Sequence, residues 1–361
     1  MLLFGLIAAF LISELVTRVF LTNYLPLYTY DANVDSRLRK NLSTARFNDE
    51  SGVEVTIKSN KWGLRDENWQ LDGTGTRILV IGDSFVEAKQ VEEEDRFTEF
   101  TESYLKELGH DVTVANCGVP GAGPGAYVKL LKYCTEIFQP DINVIAFYSS
   151  NDFADSSASF GDGNLFFRER YTVTDGSVVQ YSPVVPTYQR IKWTIYRALY
   201  MHSEAAAMIH HAVTRIRAAN RQAAEDNPDN ALNWVTPYPI GGLNSCPTYT
   251  NKNDSRMVEA IQISEHLIGE MLSVSSQPLL MIDIPSKAAV LNEIDCEWEF
   301  PEIWLADLGN VMGFEFLPVL TSMREIDESL YWGHLKPEGH RLLAGLLSDK
   351  LEDMLLKTTE Y

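Results

Sequence analysis

Residues 77–86, RILVIGDSFV, decide the fold. Ile78 to Ile81 form an unbroken aliphatic run, whereas a strand wetted on one face would alternate. The run therefore reads as a strand buried on both sides, the kind found in parallel sheets. Gly82 permits a sharp turn, and Ser84 is left at the carboxyl end of the strand, where open α/β sheets bind their ligands. Ser84 is then either a nucleophile or a turn serine, and the residues around it must decide.

Outward from this strand the pattern repeats. Phe97, Phe100, Tyr104, Leu105 and Leu108 share one helical face, and Gly109 closes that helix. Residues 112–115 read as a second strand, 126–138 as a helix and 141–147 as a third buried strand. Strand, helix, strand, helix, strand in about 70 residues predicts a parallel sheet with right-handed crossovers. The same grammar returns with a helix at 254–272, strands at 278–283 and 313–317, and a closing helix at 336–356. Between these parts, about 155–250 is read as a helical insertion, strongly helical over 186–224. Residues 23–75 are a loop-rich lead-in with one alternating run at 53–57, and 76–357 form the α/β domain.

Composition bounds the function. The chain of 361 residues is 45% hydrophobic and 22% charged, ordinary for a globular protein. Thirty Lys and Arg against 50 Asp and Glu leave a net charge of −20, which repels phosphate backbones; with no basic patch in view, nucleic acid is not an expected partner. Cys117, Cys134, Cys246 and Cys296 lack C-x-x-C spacing, which argues against zinc. The first two lie in apolar surroundings and read as plain core residues, while Cys246 and Cys296 lie in polar segments where they could pair. His210 and His211 have no carboxylate at ligand spacing. Asp152, Asp155 and Asp162 do not match a calcium loop. The glycine-rich run 118–125 lacks the lysine of a P-loop and reads as turns.

Residues 1–13 carry no charged side chain, and the apolar pattern continues past Glu14 and Arg18 to Leu21. About 20 helical residues would cover a bilayer core of roughly 30 Å, so 1–22 is read as an uncleaved single-pass anchor. Glu14 and Arg18, four apart, could pair on one helix. The alternative is an amphipathic helix lying on the membrane or on the domain. Arg18, Arg37, Arg39, Lys40 and Arg46 all follow the apolar run. Taken alone they would place the body of the protein in the cytoplasm, a bias that long domains override; an extracytoplasmic domain is the expectation retained.

A serine hydroxyl needs a base to take its proton, and acyl transfer needs donors for the developing oxyanion. Candidates for each role sit at strand ends: Ser84 after the first strand, NCGVPG (116–121) after the second and SSND (149–152) after the third. GHLKPEGH (333–340) precedes the last helix. An isolated GDS is an ordinary helix cap or turn; four blocks so placed are hard to obtain by chance. With Lys61-Trp-Gly-Leu-Arg65 upstream, the set resembles the SGNH hydrolases, also called GDSL-type esterases and lipases, in their membrane-anchored bacterial form. The resemblance spans nearly the whole chain apart from the insertion.

It implies a flavodoxin-like three-layer α/β/α sandwich and a serine esterase working through an acyl-serine intermediate without metal or cofactor. Ser84 would be the nucleophile and His334 the general base. The N–H groups of Ser84 and Gly121 and the amide of Asn151 would form the oxyanion hole, with Asp83 a structural hydrogen-bonder. One departure stands out. The family carries an aspartate three residues before the histidine, and here that position is Tyr331. Asp327 or Glu328 nearby, or a backbone carbonyl, would have to orient the imidazole, and Asp327 is taken as the candidate acid; His340 is the fallback base. The substrate would be a small-molecule or glycan ester. Two other readings stay open: acyl transfer or deacetylation on an envelope polysaccharide, and a non-catalytic binding protein on a hydrolase scaffold.

Overall fold

The aliphatic runs do become buried strands. The structure, a computed structural model, describes all residues except 1, 21–24, 32, 72, 161–168, 182–186, 214–245, 247–248, 250–252, 293, 327–329 and 360–361. Two short antiparallel pairs come first: Tyr28–Asp31 (β1) with Asp35–Leu38 (β2), and Ser43–Phe47 (β3) with Glu54–Lys58 (β4). Thr76–Gly82 (β5), Val112–Gly118 (β6), Ile142–Phe147 (β7), Leu279–Asp283 (β10) and Glu315–Leu317 (β11) build one parallel sheet in the order β11-β10-β7-β5-β6. Arg170–Thr174 (β8) and Ser177–Tyr181 (β9) form a separate hairpin.

Counted along the chain, the sheet order is 2-1-3-4-5, that of flavodoxin-like doubly wound folds. The chain leaves β5 for β6 on one side and then crosses back over β5 to β7. Two right-handed crossovers in opposite directions put consecutive helices on opposite faces. Phe97–Glu107 accordingly packs with Pro337–Thr359, and Pro124–Phe138 with Ser255–Val274. Covered on both sides, Ile78, Leu79, Val80 and Ile81 expose nothing to solvent.

Register places the site. Ile81 pairs with Cys117 on one side and Ile145 on the other, so Gly82 lies beside Gly118 and Ala146. The carboxyl ends of β5, β6 and β7 are therefore level, and the strand order reverses at β5 and β7. That reversal is the switch point at which such sheets form a crevice.

The chain divides into two units. The larger comprises residues 30–182 and 237–361, and the smaller 1–29 and 183–236. Residues 155–182 and 237–250, read from the sequence as insertion, belong to the larger unit, as does 30–75, whose Val34, Leu64 and Trp69 enter the hydrophobic core. In the smaller unit the helix Leu2–Phe20 is held to Thr187–His202 and the following helical segment 204–213. Among the described residues no helix is long and apolar enough to cross a membrane, so the spanning anchor over 1–22 finds no support there.

The cysteines depart from expectation. Cys246 bonds Cys296, the pairing left open by the sequence, but Cys117 also bonds Cys134. Reading that pair as plain core residues was half right: both are fully buried, and the apolar surroundings that suggested inert thiols hold a cross-link from β6 to the helix after it.

Candidate active site

Ser84 opens a one-turn helix, Ser84–Glu87, immediately past β5. Asp83 caps it by accepting the Phe85 N–H at 2.8 Å, which fixes the turn and leaves the Ser84 side chain half-exposed. The helix is held from its other end by Arg65. That buried guanidinium donates to the carbonyls of Glu87, Ala88 and Val91, the last at 2.6 Å. Buried Arg96 in turn donates to the Arg65 carbonyl and pairs with Glu99 at 2.7 Å. The upstream block Lys61–Arg65 thus supports the serine turn by satisfying carbonyls that have no partner in so short a helix.

His334 arrives from the far end of the chain. Its loop is closed by bonds from the Trp332 N–H to the His334 carbonyl and from the Lys336 N–H to the Leu330 carbonyl, both 2.8 Å. The imidazole lies against Phe85, with ring centroids 4.6 Å apart, and its Nε2 is 2.8 Å from Ser84 Oγ. Ser84 and His334, 250 residues apart in sequence, are in hydrogen-bond contact.

The acid comes from an unexpected place. Glu50, in the turn between β3 and β4, puts Oε1 2.9 Å and Oε2 3.0 Å from His334 Nδ1. Its Oε2 also accepts the backbone N–H groups of His334 at 2.8 Å and Gly333 at 3.2 Å. Asn48 shapes that turn, its Oδ1 accepting the N–H groups of Glu50 and Ser51. Burial works to raise the Glu50 carboxyl, but the hydrogen bonds and charge of His334 outweigh it and hold the group at about 2. The carboxylate is ionised throughout the range in which a histidine base operates. Gly333 is needed here: a Cβ would stand 2.9 Å from Glu50 Oε2.

Ser84, His334 and Glu50 form a serine–histidine–carboxylate relay at the switch point of a 2-1-3-4-5 sheet. The fold around them is a flavodoxin-like doubly wound α/β sheet. Comparison with solved structures finds likenesses of low identity. A lipase/acylhydrolase from Enterococcus faecalis is 12% identical, with 77% of this chain and 96% of that chain covered and a TM-score of 0.41. The esterase EstA from a Pseudoalteromonas species, solved with monoethylphosphonate, is 9% identical over 78% and 98%, with a TM-score of 0.39. A Clostridium thermocellum family 3 carbohydrate esterase is 11% identical over 78% and 98%, at 0.38. No protein-family model and no curated protein matches the chain.

The carboxylate found on His334 Nδ1 is not one of those expected from the sequence. Asp327 and Glu328 lie outside the described residues, and the position facing Nδ1 is filled by Glu50. Tyr331, where the family aspartate would stand, is buried and spends its hydroxyl on the Pro285 carbonyl at 2.7 Å. His340 is no base in reserve. It is buried, its Nδ1 accepts the Phe97 N–H at 3.3 Å, and burial followed by the nearby charges of Arg65 and Arg96 lowers its pKa to about 3.

Gly121 and Asn151 follow the ends of β6 and β7 on either side of Ser84. The Ala122 N–H bonds the Val119 carbonyl at 3.0 Å across Pro120 and Gly121, and Gly121 has φ +67°, a type II turn that requires glycine at its third position. The Val119 N–H bonds the Gly82 carbonyl, tying this turn to the serine strand, and Cys117–Cys134 brackets it. Asn151 caps the short helix Asp152–Asp155 through its own carbonyl, and its side chain interacts with Asp83. Below lie the buried carboxyls of Asp83, Asp152 and Asp155. Burial first, then their mutual repulsion, pushes Asp83 and Asp152 upward. Asp152 accepts from the Tyr127 hydroxyl at 2.9 Å and the Tyr148 N–H at 2.8 Å. Among the described residues no group of His, Cys, Asp and Glu is arranged to hold a metal ion.

Proposed function

We propose that the protein is a serine ester hydrolase of the SGNH type, with Ser84 as nucleophile, His334 as general base and acid, and Glu50 as the carboxylate that orients the imidazole. The observation carrying this reading is the pair of contacts on one ring: Nε2 on Ser84 Oγ and Nδ1 on Glu50. An Nδ1–H donated to an ionised carboxylate leaves Nε2 as the acceptor, the tautomer a general base needs.

In the first half-reaction Nε2 takes the Ser84 proton as Oγ attacks the ester carbonyl, and the imidazolium is stabilised by Glu50. The tetrahedral oxyanion is received by the Ser84 and Gly121 N–H groups and the Asn151 amide. Collapse breaks the ester C–O bond, and His334 returns the proton to the departing alkoxide, giving free alcohol and acyl-Ser84. Water then attacks with His334 again as base, and the acid product leaves.

Two disulfides in one chain favour an oxidising compartment, which supports an extracytoplasmic site of action on an acyl or acetyl ester. The non-catalytic reading rested on Tyr331 standing where an acid was expected; with Glu50 on Nδ1 that ground is gone. Transfer of the acyl group to a sugar hydroxyl would use the same intermediate and differ only in the acceptor. The proposal is tested by treating the purified protein with a fluorophosphonate and mapping the adduct by mass spectrometry. A single adduct on Ser84, lost in Ser84→Ala, is expected; labelling that survives Ser84→Ala unchanged removes Ser84 from the role.

A further inference from the structure

The hairpin of β8 and β9 lies outside the central sheet, yet one of its side chains is driven into the interior. Arg170 is 3% exposed, and its Nη1 donates to the Ala154 carbonyl at 2.8 Å and the Ser157 carbonyl at 3.0 Å. A charge so deeply buried is tolerated only where acceptors meet it. Here those acceptors include the carbonyls at the exit of helix Asp152–Asp155.

That helix follows Asn151 directly. It is a single turn, closed by the Ala154 and Asp155 N–H groups on the Asn151 carbonyl at 2.9 and 2.8 Å. So short a helix cannot satisfy its own exit carbonyls, and outside donors set where it sits. Arg170 supplies two bonds, and the Tyr171 N–H adds a third to the Ser156 carbonyl at 2.8 Å. The same segment also reaches the Gly121 turn. Ser156 Oγ accepts the Gly125 N–H at 3.0 Å, and Cβ atoms at Gly123 and Gly125 would stand 2.7 Å from Asp155 Cβ and Tyr171 Cε2. The hairpin is itself braced. Glu259 Oε1, on helix Ser255–Val274, accepts from Thr172 Oγ1 at 2.7 Å and from the Val173 N–H at 2.9 Å. Glu169, next to Arg170, pairs with Lys129 at 2.7 Å on the helix that follows Gly121.

We propose that Arg170 is a positioning residue for the oxyanion hole. By holding segment 154–157 it fixes where Asn151 stands, and the Ser156–Gly125 bond refers that place to the Gly121 turn. The inference rests on the reading of Asn151 and Gly121 as oxyanion donors. Arg170 acts only through Asn151, so its loss appears in turnover rather than in binding of the ground state.

The test is a double-mutant cycle on hydrolysis of p-nitrophenyl acetate by the full chain. Asn151→Ala, which keeps the carbonyl that caps the helix, lowers kcat about 10²- to 10³-fold. Arg170→Gln lowers kcat about 30-fold with KM within about twofold of wild type, since a misplacement of about 1 Å can cost about 10². Arg170→Lys keeps a charged donor and loses only about fivefold. On the Asn151→Ala background either Arg170 substitution costs less than about twofold more, because the group it positions is gone. A merely structural arginine would cost the same factor on both backgrounds. Equal losses on the two backgrounds therefore overturn the proposal, as does a loss that falls on KM. So does an Arg170→Gln enzyme retaining more than a third of wild-type kcat beside an inactive Ser84→Ala. If Arg170→Gln does not fold, the cycle with Arg170→Lys decides. Failure of the underlying reading looks different: Ser84→Ala or Asn151→Ala then hydrolyses the ester like wild type, and the proposal falls with it.

Discussion

Replacing Glu50 with Gln is the most informative single perturbation, because it removes one charge and keeps the shape. In the native protein both carboxylate oxygens are acceptors, one or both for Nδ1 and Oε2 also for the N–H groups of Gly333 and His334. Glutamine has one acceptor oxygen. If it serves Nδ1, its NH₂ faces two backbone donors; if it serves the backbone, the NH₂ faces Nδ1 and selects the tautomer that leaves a proton on Nε2, where Ser84 needs an acceptor. The electrostatic part can be estimated. Unit charges about 4 Å apart interact by about 4 kcal/mol at an effective dielectric of 20. With the His334 and Glu50 side chains 24% and 33% exposed, solvent screening is allowed to remove about a third to a half of that. The remaining 2–3 kcal/mol corresponds to roughly a 30- to 150-fold loss of rate. Loss of the correct tautomer adds to this, and about 10⁴ is the full penalty in the best-studied triad. Glu50→Gln should therefore lower kcat for p-nitrophenyl acetate by about 10²- to 10⁴-fold with KM nearly unchanged, while Asp327→Asn stays within about threefold of wild type. A Glu50→Gln enzyme retaining more than a third of wild-type kcat, alongside an inactive Ser84→Ala, would refute the assignment of the acid.

Gly333→Ala should separate geometry from stability. Its Cβ would meet Glu50 Oε2 at 2.9 Å, and since the carboxylate is the mobile end of its side chain, the carboxylate moves and the fold does not. A tenfold or larger fall in kcat with Tm within about 2 °C is expected; unchanged activity would show that the contact is slack. His340 makes a prediction in pH. Its folded pKa is lowered to about 3 from the ordinary 6.5, so the unfolded chain takes up a proton that the folded protein refuses. Stability from this group is complete above about 6.5 and is lost as pH falls toward 3, at up to about 1.4 kcal/mol per pH unit. Urea titrations of His340→Asn, whose Oδ1 can still accept the Phe97 N–H, should show a shallower acid slope than wild type, and equal slopes would reject the account.

Much of this protein is legible locally. The run from Ile78 to Ile81 can only be a strand covered on both faces, and once three such strands alternate with helices, handedness and order leave few arrangements. Ser84, Gly121, Asn151 and His334 each sit in a short segment with its own local signature: a strand end, a type II turn, a helix cap, a loop before the last helix. Glu50 was not legible. The imidazole asks only for a carboxylate oxygen about 3 Å from Nδ1, and any segment that packs there can deliver one. No spacing rule ties the tip of a hairpin to a histidine 284 residues later. The Cys117–Cys134 bond escaped for a related reason: burial among apolar residues is what a free thiol and a core disulfide have in common, and only proximity distinguishes them. Residues 155–182 and the inserted helix likewise could not be told apart along the chain, because helical and turn patterns say what a segment forms and not which unit its apolar side joins. The amino-acid sequence alone determined the strands, their alternation with helices and the short segments that carry the serine and the histidine. Which carboxylate completes the relay, which cysteines join and which unit each inserted segment enters were decided by packing, since those are distances between parts of the chain that nothing local constrains.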